Sequence, residues 1–185
     1  APVRNALIRL SQEGLVIPAA QSGYLIAPLT LKDIEEIFEL RIFLERESAR
    51  KAADNITPSQ IQELKSFSSI GHVPGDPSTE IQFIQANRNF HIGIAKASGN
   101  AKLANMIRNL FDEFTRITRL VVHVTSEEGK WPQGHRETLR YIIEGDGESA
   151  GKTMVKEIEA GKEKAMMALI RSPSIINVNL ASNIL

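Results

Sequence analysis

From Thr30 to Arg171 the apolar residues recur three and four apart in six successive runs, and nothing else in the chain narrows the fold as much. That rhythm belongs to helices with one buried stripe. A stripe of this kind has to be covered by another of its kind. The runs predict helices over 31–54, 58–70, 79–98, 101–124, 132–144 and 147–171, separated by the breakers "GHVPGDPST", "SGN", "TSEEGKWPQG" and "EGDGE". "TLKD" at Thr30 and "TPSQ" at Thr57 have the form of capping boxes, and Pro58 suits a first helical position. Six helices on short connections imply an all-α, antiparallel six-helix bundle.

Polar residues interrupt several of these stripes. Phe83, Asn87, Phe90, Ile94 and Ala97 share one face, with His91 at its edge. His135 heads the stripe of Leu139 and Ile142. Glu157 sits in the stripe of Ala150, Met154, Gly161 and Ala165. Asn87, His91, His135 and Glu157 are therefore four inward candidates from three helices. Imidazole nitrogens with carboxylate and amide oxygens suit a divalent cation. The same residues could equally hydrogen-bond one another in a metal-free core. Arg41 and Glu45, four apart beside the stripe of Ile34, Phe38, Ala49 and Ala52, add an inward fork for a ligand carboxylate or for Glu45 itself. His72, in a Gly/Pro loop, and His123, at a helix end, read as surface residues. Arg116 and Arg119 flank the stripe of Leu110, Phe114, Ile117 and Val121 as solvated residues, one of which could line a pocket.

The first 29 residues have a different character. "PVRNALIRLSQ" reads as a helix closed by Gly14, and "LVIP" and "YLIAP" read as a hairpin turning at Gly23. So short a segment cannot bury a core of its own. With no initiator methionine before Ala1, it reads as the back half of a small domain. The tail 173–185 has no clear period. Lys and Arg balance Asp and Glu at 22 each, so any nucleic-acid contact must come from a local patch. The lack of cysteine excludes disulfides, thiolate zinc sites and cysteine nucleophiles. No apolar run approaches the roughly 20 residues of a membrane span. No Ser/His/Asp order, phosphate loop or dinucleotide fingerprint is present.

"APVRNALIRLSQEGLV", "GYLIAPLT" and "DIEEIFELRIFLERESARKAA", followed by "NRNFHIGIAKASGN" and "HRETLRYIIEGD", resemble in content and order the GntR superfamily of bacterial transcription regulators. The branch resembled is the one with a FadR-like C-terminal domain (FCD), and six bundle helices resemble its VanR subgroup. The resemblance implies three parts. Residues 1–29 would be the end of a winged helix-turn-helix, 30–172 an effector-binding FCD bundle, and 173–185 a tail. It implies operator DNA as partner, with Arg4 on the recognition helix as a DNA contact and Gly23 at the wing tip. It implies a cytoplasmic homodimer, acting as a repressor, with a small carboxylic acid as effector and Arg41 and Arg116 as its contacts. It also implies a divalent metal ion, zinc or nickel, on Asn87, His91, His135 and Glu157. At the last of these positions the family's pattern has histidine. Two other classes stand beside this reading: a metal-dependent enzyme, and a metal-free interaction module.

Overall fold

The computed structural model describes residues 2–19, 23–124 and 132–172. The described residues form seven helices and one two-stranded sheet. In chain order these are α1 (Pro2–Gln12), β1 (Val16–Ala19), β2 (Gly23–Ile26), α2 (Leu31–Asn55), α3 (Pro58–Phe67), α4 (Pro77–Ala97), α5 (Ala101–Val124), α6 (Pro132–Ile143) and α7 (Gly147–Arg171). The chain divides into two compact units, Ala1–Thr30 and Leu31–Leu185.

In the first unit, α1 ends as its sequence requires. Gly14 takes φ 71°, and the amides of Leu15 and Gly14 turn back to the carbonyls of Leu10 and Ser11. β1 and β2 pair antiparallel with Val16 opposite Ile26 and Ala19 opposite Gly23. Gly23 therefore opens β2 as the partner of Ala19, with a positive φ of 94°, instead of standing at the tip. Residues 20–22, between the two strands, lie outside the described residues. None of the residues of α1 is buried, and Arg4 is exposed.

The second unit is a six-helix bundle built around α2. This helix packs on α4, α5, α6 and, most extensively, α7. Glycines allow the close α2–α7 seam, since a Cβ on Gly147 would lie 2.6 Å from the Arg50 carbonyl oxygen and one on Gly151 3.2 Å from that of Arg46. Phe38, Phe83, Phe90, Phe111, Ile107 and Ile117 fill the interior, each worth roughly 1.5–3 kcal/mol on burial. The stripes read from spacing are buried on α2, α4, α5 and α6; on α7, Ala150, Met154 and Ala165 are buried, while Glu157 and Gly161 are half-buried.

Helix ends follow local chemistry. Thr57 and Gln60 form the capping box of α3. α4 starts at Pro77, two residues before the expected 79, because the Asp76 carboxylate accepts from the Ser78 amide and Pro77 takes the first position. α3 ends at Phe67, not at 70, with Ser68 as its C-cap. His72 departs from the surface position expected of it. It is buried at 6 % exposure, because its ring lies on Phe83 with centroids 4.9 Å apart, so a loop of small and turn-forming residues folds its imidazole inward. His123 is exposed, as expected. The expected tail, 173–185, lies outside the described residues.

Candidate metal centre

Three of the polar residues that interrupt the stripes, His91, His135 and Glu157, meet inside the bundle. α4 brings in His91 and Asn87 one turn apart, α6 brings His135, and α7 brings Glu157. His135 Nε2 lies 2.8 Å from Glu157 Oε1 and 3.3 Å from His91 Nε2, and His91 Nε2 lies 3.7 Å from Glu157 Oε1. Both histidines are buried, and the Glu157 side chain keeps 14 % exposure. Asn87 is buried on the same face of α4.

Aromatic rings hold both imidazoles. Phe90 stacks on His135 with centroids 4.0 Å apart, and Phe111 stacks on His91 at 5.2 Å. The far nitrogen of His91 faces a carboxylate, with Nδ1 2.5 Å from Glu45 Oε2. Neither atom is in line for a regular hydrogen bond, so the contact is a close electrostatic one. A carboxylate at Nδ1 favours the proton there and turns the Nε2 lone pair toward the cluster. Glu45 Oε1 in turn accepts from Arg41 Nε at 2.6 Å. The Arg41 guanidinium lies 4.1 Å from the ring centroid of Phe114 and 4.8 Å from that of Phe111.

Charge sets the chemistry of this interior. Burial pushes the Glu45 carboxyl up, but Arg41 and His91 outweigh it and bring it to about 2. Glu157 behaves alike: burial raises it, and His135 and then His91 bring it below the usual carboxylate range. His91 goes down because burial disfavours the imidazolium more than Glu45 supports it. Arg41 balances Glu45. Glu157 is then left as a largely buried carboxylate against His135 Nε2 and the inward-facing Nε2 of His91, an arrangement that a divalent cation could join.

The donor geometry passes the same test. Ligand bonds of about 2.1 Å put neighbouring donors about 3.0–3.4 Å apart around one octahedral or tetrahedral cation. The three separations here bracket that range. His91, His135 and Glu157 thus form a cluster that could hold a metal ion, and it is the one such cluster among the described residues. A carboxylate behind a ligating histidine, as Glu45 stands behind His91, is the usual outer support of such sites.

Other expected residues fall elsewhere. Arg116 is half-buried on α5 beside the stripe residue Ile117, and Arg4 lies on α1 in the first unit. Three residues at the centre went unassigned in the sequence reading: Glu45 as the partner of His91, Thr138, whose hydroxyl lies 3.5 Å from Glu157 Oε2, and Gly134. Only Glu45 gave a signal, through its spacing from Arg41.

No helix among the described residues is long and apolar enough to cross a membrane. The chain is 30 % identical over 112 residues to the Nta operon transcriptional regulator of Aminobacter aminovorans, covering 59 % of this chain and 51 % of that one. It spans about half the length of the first curated relatives it matches. Among solved structures, Escherichia coli McbR/YncC superposes with a TM-score of 0.75 at 19 % identity, covering 90 % of this chain and 84 % of that one. A GntR family regulator from Pseudomonas syringae pv. tomato superposes with a TM-score of 0.64 at 22 % identity, covering 92 % and 72 %. These two likenesses show the shared fold. The relatives named are transcription regulators and not enzymes. The family model described as the FCD domain matches residues 36–160, more than half of the sequence, and the chain belongs to the FCD-domain family.

Proposed function

We propose that this chain is the effector-sensing part, with the adjoining end of the DNA-binding head, of a cytoplasmic, homodimeric repressor. Its effector is a small carboxylic acid received in a metal-containing bundle. The observation that carries the reading is the convergence of His91, His135 and Glu157 on one point beside a buried arginine. His91, His135 and Glu157, joined by Asn87, would hold a borderline divalent cation such as zinc or nickel, which when bound offers a Lewis-acidic position to a carboxylate. Arg41 donates to Glu45 through Nε. Its Nη donors offer a fork for the same carboxylate. Arg116 is a further contact.

α2 carries Arg41 and Glu45 and begins at Leu31, directly after the first unit ends at Thr30. Effector binding that favours one placement of α2 would shift the population of head spacings on a symmetric dimer, and with it the fit to a palindromic operator. Arg4, exposed on α1, is the expected DNA contact, with the wing that β1 and β2 form supplying Gly23 near the backbone.

A thermal-shift series of small carboxylic acids, with and without chelator, tests the sensor. Acids should raise the melting point, and chelator should abolish the rise. Unchanged shifts in a His91→Ala, His135→Ala double variant would remove the metal from the reading. The metal-free alternative, in which His135 and Glu157 merely pair with each other, requires freshly purified protein to carry no stoichiometric metal. For the head, Arg4→Ala in the full-length regulator should weaken operator binding about 10-fold or more, as loss of a guanine or phosphate contact does. Wild-type affinity in a filter-binding assay would take Arg4 out of the interface.

A further inference from the structure

Glycine inside a helix costs roughly 0.5–1 kcal/mol against alanine, so one that stays there has a reason in space or in backbone angle. Gly134 lies in the first turn of α6 and is not among the residues with positive φ, so backbone angle does not require it. Space does. A Cβ at this position would stand 2.8 Å from Glu157 Cγ, 2.9 Å from Cδ and 3.0 Å from Oε2. A methyl group there would overlap the carboxylate end of Glu157, in the place from which Oε1 reaches His135 Nε2 at 2.8 Å. One turn on along the same face of α6, the Thr138 hydroxyl lies 3.5 Å from Oε2.

We propose that Gly134 is a positioning residue: its missing side chain leaves the slot through which the Glu157 carboxylate reaches the two imidazoles and completes the three-donor set. The proposal rests on the metal-centre reading above and deepens it. It explains how a glutamate can serve where the related pattern has histidine. The clash falls on the end of a flexible side chain. The overlap is therefore relieved by swinging Glu157 aside, at little cost to the bundle and at full cost to the donor triangle.

That separation of effects is the test. Gly134→Ala, Glu157→Ala and the double variant are compared with wild type by Zn²⁺ competition against a chromophoric chelator. Co²⁺ absorption and metal-free urea unfolding complete the comparison. Gly134→Ala should lower Zn²⁺ affinity about 10- to 100-fold. It should alter the Co²⁺ spectrum and leave metal-free stability equal to or slightly above wild type. In the Glu157→Ala background the same substitution should change affinity less than about 2-fold, because both act through one carboxylate. Wild-type affinity in Gly134→Ala, or losses that multiply in the double variant, would overturn the positioning role while leaving the metal centre standing. If wild-type protein binds no Zn²⁺ that His91→Ala or His135→Ala abolishes, the metal centre fails and Gly134 loses its role with it.

Discussion

The buried polar groups of the bundle form two halves that share one histidine and differ in completeness. At the α2 end, Arg41 and Glu45 cancel each other's charge and hold a 2.6 Å hydrogen bond, and the Arg41 guanidinium lies against three phenylalanine rings. At the α6–α7 end, Glu157 faces the Nε2 atoms of His91 and His135, and its side chain keeps some exposure. The first half is finished by folding, and the second is the one that we propose a divalent cation completes. Their difference shows how a core can carry a rigid electrostatic anchor and an adaptable site within one helix packing.

The largest break in this comparison is expected at Glu45. Glu45→Ala leaves the Arg41 guanidinium buried without its counter-charge and should cost about 3–5 kcal/mol in urea unfolding. A loss below about 1 kcal/mol would mean that the α2 half is not the closed unit described. The open half should behave in reverse. At a Zn²⁺ concentration 100 times Kd, wild type should gain about 2.7 kcal/mol over chelated protein, and His135→Ala should gain almost nothing. Equal gains in the two proteins would place metal binding elsewhere. The smallest effect lies outside both halves, at the exposed cap of α7. Hydrogen bonds from Ser149 hold the Asp146 carboxyl below its ordinary value of 3.8. Its contribution is therefore present above pH 3.8 and fades as pH falls through the lowered folded value. Asp146→Ala should melt a few degrees below wild type at neutral pH and alongside it in strong acid. A difference that persists in acid would show that the carboxylate charge is not what caps the helix.

Periodicity made the bundle legible, because a stripe such as Phe83, Asn87, Phe90 and Ile94 states its own buried face. The inward aim of His91, His135 and Glu157 was legible for the same reason. What a wheel drawn on one helix omits is the neighbour. Glu45 could be matched to Arg41 on its own helix, yet its reach to His91 depends on how α2 lies against α4. Gly134 read as the end of a breaker, since the side chain it makes room for lies 23 positions on. His72 misled because a loop rich in Gly and Pro signals turns, not the direction in which its one ring faces.

The rings stacked on the two imidazoles have a thermodynamic consequence. Phe90 and Phe111 fix the rotamers of His135 and His91 when the bundle folds, so those side chains lose their torsional freedom before any cation arrives. Metal binding then has little ordering left to do at these two ligands, and in a calorimeter its entropy should be dominated by released water, not by stiffened protein.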